Sequence, residues 1–376
     1  MKAAGNLTLT RGKRCMESKN NKRHKVVLTD YAWPDLDIER EILSRISADF
    51  VPAHCVSERE VLDLARDADG IIAEYAPITR QVIEKLERCK IISMNAVGYD
   101  NVDVSAATDA GILLVNCPDY CYEEVADHTM ALLLALARGV FRFDRQIRRM
   151  VWDFKSASKL HRIRGTKLGL LGFGRVARSV ARKARVFGME IIASDPYQID
   201  DVFERERVKR VTFENILKES DFLSIHTPFT TETENLVSQK ELDTMKNSAF
   251  VISTSRGSII DEKALLTALR EGGIKGAALD VMEKEPPNFE GPLFSCENLI
   301  ITPHAAFYSE EAMAELRTRS SQAVVRVLCE RKWPESLVNR ELLKSKNTRA
   351  NLVSGDQNAA LRAKQAVGCD LNPENP

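Results

Sequence analysis

Between its polar ends, the chain alternates short apolar runs with longer amphipathic segments. Apolar runs such as 25–29, Gly70–Ala73 and Ile91–Met94 predict buried strands, and segments with a helical pattern separate them. Strands that alternate with helices are typical of parallel sheets built from βαβ units. A second series of the same kind begins at Lys167, so the pattern predicts two α/β domains.

A long segment with helical character lies between the two series. Residues 123–149 include one glycine and no proline, and they predict one continuous helix. An irregular basic stretch, 152–164, follows it. We interpret this region as the link between the two domains.

A glycine-rich turn opens the second series. The strand-like run 167–171 is followed by the sequence Gly172-Phe173-Gly174-Arg175-Val176-Ala177 and then by a helical pattern. In this context a G-x-G-x-x-A motif predicts a dinucleotide site. Gly172 permits the tight turn, Gly174 lets the backbone approach a pyrophosphate, and Ala177 keeps the helix close to the sheet. The start of that helix offers free N–H groups to the phosphates.

An acidic residue follows the next strand-like run. The run 189–194 ends at Asp195, which comes 23 residues after Gly172. A carboxylate at this place hydrogen-bonds the adenosine ribose and repels a 2′-phosphate. The sequence therefore predicts NAD as the cofactor, in preference to NADP.

Four later strand-like runs each end in polar residues. Arg256, Asp280, Glu285 and His304 follow these runs. Because ligands bind outside the carboxyl ends of the strands in a doubly wound sheet, we expect the four side chains to converge on one cleft.

The overall composition excludes several classes of partner. The 376 residues include 54 basic and 54 acidic side chains, so no net charge attracts nucleic acid or an anionic membrane. The longest aliphatic run, 130–137, is far shorter than the ~20 residues of a membrane helix. The N-terminus lacks the apolar core of a secretory signal and the chain is poor in cysteine, so we expect a cytoplasmic protein. No metal site is predicted, and the polar ends, 1–24 and 342–376, are interpreted as a disordered tail and a polar tail.

Three blocks in the second half of the chain match one family in the right order. They are T-S-R-G-S-I-I-D-E-K-A-L, G-A-A-L-D-V-M-E-K-E-P-P and T-P-H-A-A-F-Y-S-E-E-A. From about residue 25 to about residue 340, the chain resembles the D-isomer-specific 2-hydroxyacid dehydrogenases. The last block, together with the sequence W-P-E-S-L-V-N at 333–339, is most similar to the C-terminal-binding-protein branch, which includes dehydrogenases and transcriptional corepressors.

The resemblance implies a particular domain organisation. It implies two doubly wound parallel-sheet domains, with a Rossmann NAD-binding domain inserted in a flavodoxin-like substrate domain. We place the substrate domain at 25–122 plus 304–341 and the NAD-binding domain at 123–303.

The resemblance also implies roles for the polar residues. Arg256 corresponds to the arginine that binds the substrate carboxylate and polarises the ketone. His304 corresponds to the acid/base, and Glu285 to its carboxylate partner, which favours the imidazolium form. Asp280 corresponds to the acid on the nicotinamide side of the cofactor. Catalysis is therefore assigned to Arg256, Glu285 and His304.

The binding residues implied by the family come from both series. Backbone N–H groups of Val97 and Gly98 face the substrate, together with Arg256 and His304; Ala96 stands where many relatives have glycine. The implied cofactor shell consists of Gly172, Phe173, Gly174, Arg175, Val176, Asp195, Thr227, Pro228, Thr233, Thr254, Ser255, Arg256, Asp280, His304 and Thr129.

Two other histidines, His128 and His226, are interpreted as packing or cofactor-shell residues.

The expected activity is hydride transfer between NADH and a 2-oxo acid, which yields a D-2-hydroxy acid. A homodimer through the cofactor domain is expected by analogy with the relatives. The alternative is an NAD-sensing, corepressor-like scaffold that binds proteins, because relatives of that kind keep the same Arg256, Glu285 and His304 set.

Overall fold

The computed structural model describes residues 23–156, 159–345 and 347–352, which form two compact units. The first unit comprises the described residues of 23–120 and 313–352, and the second comprises those of 121–312. The second unit is thus inserted into the chain of the first. The tail predicted at 1–24 lies outside the described residues, apart from residues 23 and 24.

A parallel five-stranded sheet forms the centre of the first unit. Its strand order is β2-β1-β3-β4-β5, which is the order of flavodoxin-like sheets. Strands β3 and β4 are buried along their whole length, as expected when helices cover both faces of a sheet. The strands are β1 (Lys25–Leu28), β2 (Asp49–Pro52), β3 (Gly70–Ala73), β4 (Ile91–Met94) and β5 (Leu113–Val115); the helices are α1 (Asp37–Ser44), α2 (Glu58–Ala65), α3 (Arg80–Ile83) and α4 (Val104–Asp109).

A parallel seven-stranded sheet forms the centre of the second unit. Its order, β12-β11-β10-β9-β6-β7-β8, is that of a Rossmann sheet with one further strand. The strands are β6 (Lys167–Leu171), β7 (Glu190–Ser194), β8 (Lys209–Arg210), β9 (Phe222–Ile225), β10 (Phe250–Ser253), β11 (Gly276–Leu279) and β12 (Leu299–Ile301). The helices are α5 (Tyr122–Arg138), α6 (Val140–Arg148), α7 (Arg175–Val186), α8 (Asp200–Glu206), α9 (Phe213–Glu219), α10 (Gln239–Thr244) and α11 (Glu262–Glu271). The two sheets confirm the predicted fold class.

Helix α12 (Glu310–Leu328) carries the chain back into the first unit. Leu328 of this helix belongs to the same apolar cluster as Leu28 of β1. Arg317 of the helix lies with its Nε 2.8 Å from Oε1 of Glu39, whose side chain is fully buried. The C-terminal helix is therefore part of the core of the first unit.

The single helix predicted over 123–149 is wrong, because α5 and α6 are separate helices. Gly139 between them has φ +60°, in the left-handed region, where a helix ends readily at glycine. Most of the apolar residues of α5 are buried in the second unit, whereas every residue of α6 is at least partly exposed.

Two predicted boundaries differ from the packing that the structure shows. Residues 342–352 are packed where the structure describes them: Leu342 and Ala350 are only 1% and 2% exposed, because both join the apolar cluster around β1. The substrate domain was expected to resume at 304, but 304–312 lie in the second unit. Hydrogen bonds from Ala305 and Ala306 to Asp280 hold the start of this segment there.

Within the described ranges, no helix combines the length and the apolar character that a membrane crossing requires.

Candidate active site

The glycine turn after β6 brings two strand ends close together. Gly172 has φ +86°, a conformation that side chains other than glycine rarely adopt. A Cβ atom at this position would also lie 2.8 Å from the carbonyl carbon of His226, at the end of β9. Both the turn and the close approach therefore require glycine.

Helix α7 starts directly after this turn. It runs for 12 residues, and its N-cap residue is Gly174, which has no side chain to cap the helix. The start of a helix favours an anion, because its first N–H groups and the positive end of its dipole point outward there. Arg175 opens the helix, while Val176 packs partly against the apolar core.

Phe173 and Asp195 hold the glycine turn in place. The Phe173 side chain is fully buried and stacks on Phe203, with ring centroids 4.8 Å apart. Its amide donates to Oδ2 of Asp195 over 2.8 Å. Oδ1 of Asp195 accepts from the amides of Tyr197 and Gln198. The Phe173 amide is therefore occupied by Asp195, and the Asp195 carboxylate is held beside the turn.

The loop after β9 contains the next predicted cofactor residues. The Thr227 carbonyl accepts from Ser255 Oγ over 2.6 Å, and the Pro228 carbonyl accepts from Thr233 Oγ1 over 2.7 Å. Oγ1 of Thr227 is buried without a hydrogen-bond partner among the described residues. A buried hydroxyl without a partner among the described residues indicates room for a hydrogen bond from a ligand.

Thr129 and Thr254 complete the predicted shell. Thr254 follows β10, and its Oγ1 lies 3.1 Å from that of Thr129 on α5. The carboxyl ends of β6, β7, β9 and β10 therefore carry a helix start with glycine at its N-cap, a fixed carboxylate and an orphaned hydroxyl at one edge of the sheet. These residues fit a dinucleotide, whose pyrophosphate would lie beside Gly172 and Gly174 and whose ribose would lie beside Asp195.

Arg256 is positioned by its neighbour Gly257. The Arg256 side chain is half-buried, and its Nη1 donates to the Ser255 carbonyl over 2.8 Å. A Cβ atom on Gly257 would lie 1.9 Å from the carbonyl carbon of Met282, so only glycine allows the loop after β10 to contact the loop after β11. Sequence reasoning did not select Gly257; the signal was a glycine directly after Arg256.

Glu285 and His304 form a short ion pair. Oε2 of Glu285 lies 2.6 Å from Nδ1 of His304, and Oε1 accepts from the Met282 amide over 2.9 Å. Burial favours the neutral form of Glu285, but the hydrogen bonds from His304 and Met282 and the charges of His304 and Arg256 outweigh it. The pKa of Glu285 is therefore below its ordinary value.

This pairing sets the chemistry of the histidine. An ionised Glu285 only accepts hydrogen bonds, so Nδ1 of His304 carries a hydrogen and donates. The opposite nitrogen, Nε2, can then exchange a proton with a ligand. The side chains of His304 and Glu285 are 29% and 34% exposed, which leaves the pair accessible.

Asp280 is hydrogen-bonded to the loop that carries His304. It is 1% exposed, and its carboxylate accepts from Thr302, Ala305 and Ala306. All three donors belong to the loop that carries His304. In this structure Asp280 holds that loop, while its expected contact with the nicotinamide side of a cofactor stays a prediction.

The remaining candidates lie elsewhere. Val97 and Gly98 belong to the first unit and follow β4; Val97 is 42% exposed. His226 is half-buried with its Nε2 2.8 Å from Ser224 Oγ, and desolvation lowers its pKa to about 3. His226 is therefore neutral at physiological pH, and its role as a packing or cofactor-shell residue stays a prediction.

Comparisons with known proteins agree with this geometry. Residues 130–306 match the family model of the D-isomer specific 2-hydroxyacid dehydrogenase, NAD binding domain. The chain is 40% identical over 275 residues to a D-3-phosphoglycerate dehydrogenase of Methanocaldococcus jannaschii, a match that covers 73% of this chain and 52% of that relative. It is 39% identical over 296 residues to a glyoxylate reductase of Korarchaeum cryptofilum, covering 77% of this chain and 88% of the relative.

A solved structure of the same kind has the same fold. A glyoxylate reductase from Paecilomyes thermophila superposes with a TM-score of 0.77 at 28% identity, over 85% of this chain and 99% of that one. The matched family model is that of an NAD binding domain, and the residues it matches include the glycine turn. The chain belongs to the D-isomer-specific 2-hydroxyacid dehydrogenases.

Proposed function

We propose that this protein reduces a 2-oxo acid with NADH to the corresponding D-2-hydroxy acid. The observation that carries the proposal is the 2.6 Å pair between His304 and Glu285, beside Arg256 and in the same unit as the dinucleotide turn. A nicotinamide cofactor, held by Gly172, Gly174 and Asp195, supplies the hydride.

Each protein group has a separate task in this reaction. The guanidinium of Arg256 binds the substrate carboxylate and stabilises the negative charge that grows on the ketone oxygen. Nε2 of His304 gives a proton to that oxygen, and Glu285 stabilises the imidazolium until then. We assign the amides of Val97 and Gly98, in the first unit, to the substrate carboxylate.

The experiment is a screen of 2-oxo acids with NADH, followed by the loss of absorbance of the reduced cofactor. Glyoxylate is the first substrate to test, because several relatives are named glyoxylate reductase. Hydroxypyruvate and larger 2-oxo acids extend the series. Oxidation of NADH by none of them would overturn the proposal.

We also propose a relationship to the C-terminal-binding-protein branch. It is supported by the block T-P-H-A-A-F-Y-S-E-E-A and by the sequence at 333–339. The same screen separates an enzyme from a corepressor-like scaffold, because a scaffold binds NADH but turns over slowly.

A homodimer is proposed on the basis of an exposed apolar surface in the second unit. Helix α5 buries most of its apolar side chains within its own unit. The segment 140–154, by contrast, exposes large apolar side chains, which are Val140, Ile147, Met150, Val151, Trp152 and Phe154. Apolar patches of this kind are typical of interfaces.

Light scattering at micromolar concentration tests the dimer. Trp152→Glu is expected to give monomers, and Tyr75→Glu, at another exposed aromatic side chain, is the matched control. A wild-type protein with the mass of a monomer would contradict the proposal. The cytoplasmic location stays a proposal as well, and fractionation of the source cells tests it.

A further inference from the structure

His128, on helix α5, lies against the loop that carries the acid/base. Its Nε2 is 3.0 Å from Oγ1 of Thr302 and 3.5 Å from Oδ1 of Asp280. The His128 side chain is 25% exposed, whereas that of Asp280 is 1% exposed. His128 therefore contacts a polar cluster formed by the buried Asp280 and the half-buried Thr302.

The donor and the acceptor of each hydrogen bond in this cluster can be assigned. The Thr302 hydroxyl donates its single hydrogen to Oδ1 of Asp280 over 2.5 Å. Thr302 Oγ1 must then act as the acceptor towards His128. Nε2 of His128 consequently carries a hydrogen, which it donates to Thr302.

Asp280 in turn holds the loop on both sides of His304. Its carboxylate accepts from the amides of Ala305 and Ala306, each over 2.9 Å, and its carbonyl accepts from the amide of His304 over 2.7 Å. His304 itself has φ +52°, a left-handed conformation that a residue with a side chain adopts only when its surroundings impose it.

We propose that His128 is a positioning residue for the acid/base. By donating to Thr302, it orients the hydroxyl towards Asp280 and keeps the Asp280 carboxylate in place to hold the His304 loop. The proposal rests on the proposed function, since it assigns His304 the proton transfer. It goes further in giving a role to a histidine that touches neither the reacting atoms nor His304.

Steady-state kinetics with NADH and glyoxylate, or with the best 2-oxo acid of the screen, test the catalytic consequence. His128→Leu should lower kcat roughly tenfold or more, because small misplacements of a catalytic group cost up to ~10²-fold, while the KM for NADH changes little. His128→Gln should keep most of the activity, because the Gln amide can donate in place of Nε2. His161→Leu, at an exposed histidine of the same unit, is the control.

Hydrogen exchange followed by mass spectrometry tests the positioning without turnover. The peptide that covers 302–306 should exchange faster in His128→Leu than in the wild type, His128→Gln or His161→Leu. A peptide from β10 should exchange equally in all four proteins. If His128→Leu matched the wild type, or if His128→Gln lost as much as His128→Leu, the positioning role would be wrong.

The two proposals fail in different ways. If the wild type oxidised no NADH with any 2-oxo acid, the proposed function would fail. The exchange rates of the amides at 302–306 would still show whether His128 holds this loop in place.

Discussion

Oδ2 of Asp195 accepts a hydrogen bond from the Phe173 amide at 2.8 Å, so the end of β7 is fastened to the glycine turn. The carboxylate is also held by the amides of Tyr197 and Gln198. Because these donors are backbone groups, the negative charge of Asp195 has a defined position beside the expected ribose.

This relationship predicts a preference for NADH over NADPH. A 2′-phosphate placed near the fixed carboxylate would be repelled, so kcat/KM should favour NADH by about tenfold or more. Asp195→Ser should reduce that ratio by roughly tenfold, equivalent to ~1.4 kcal/mol. Asp201→Ser, at an exposed acid on α8, serves as the control. A wild-type preference for NADPH would show that Asp195 is not the ribose ligand.

Replacements of His304 and of Arg256 should change kcat and KM in different ways. His304→Gln removes proton transfer, so kcat should fall by ~10²–10⁴ with little change in KM. Arg256→Gln removes a contact made by substrate and transition state alike, so KM should rise and kcat should also fall. Steady-state kinetics with the best 2-oxo acid distinguish the two patterns. A near-normal kcat in His304→Gln would refute the acid/base assignment.

Removal of the Glu285 charge should change the pH profile. The lowered pKa of Glu285 means that the carboxylate is ionised throughout the neutral range, so it stabilises the imidazolium wherever the enzyme works. Glu285→Gln keeps the shape but cannot ionise, so kcat for ketone reduction should be lower than in the wild type at neutral pH. The wild type should lose this advantage as the pH falls through the lowered pKa of Glu285, whereas the variant has no carboxylate to protonate. Equal kcat of the two proteins from acidic to neutral pH would mean that the charge of Glu285 does not support the reaction.

A methyl group at position 257 should disturb the site by displacing the backbone of the loop after β10. In Gly257→Ala the Cβ atom cannot be accommodated 1.9 Å from the Met282 carbonyl carbon, so the two loops must separate. We expect a loss of roughly 1–3 kcal/mol in stability and of at least about tenfold in kcat/KM, since Arg256 moves with its loop. Gly273→Ala, where the nearest atom lies 3.5 Å away, is the matched control. Equal activity of the two variants would contradict this account.

Glu74 in the first unit should make stability depend on pH. Burial and the nearby charge of Asp30 raise its pKa from 4.5 to about 8. Between these values the folded chain keeps a proton that the unfolded chain releases, so stability should fall as pH rises from 4.5 to 8 and then level off.

Thermal unfolding at pH 5, 7 and 9 measures this effect. Glu74→Gln is neutral at every pH, so its slope should be smaller and it should exceed the wild type at pH 9 by roughly 1–3 kcal/mol. The exposed Glu87→Gln is the control and should follow the wild type. Parallel curves for all three proteins would rule out a buried titrating carboxyl at position 74.

Much of the fold could be predicted because its signals are local. The alternation of apolar runs and amphipathic segments predicts parallel sheets, and the glycine turn followed by Asp195 predicts a dinucleotide site, since turn, helix start and strand end are contiguous in the chain. Arg256, Glu285 and His304 could be named because each follows a strand, and parallel strands end at the same edge of their sheet.

Other features could be read only from the folded chain. The helix break at Gly139 was missed because one glycine is tolerated in many helices, and its left-handed conformation is adopted only in the folded structure. The packing of Leu342 and Ala350 was missed because a polar composition does not reveal which few apolar residues find a partner.

The sequence by itself determined the order of the strands and the glycine turn, and it predicts the cofactor site and the reacting side chains. Only the tertiary structure decided that the Asp280 carboxylate accepts hydrogen bonds from the His304 loop and that His128 lies against Thr302, 174 residues away in the chain. Hydrogen-bond partners at such a separation depend on how a helix packs on a sheet and which way each side chain faces. No local sequence pattern predicts the helix packing or the side-chain direction, because both follow from the packing of the whole unit.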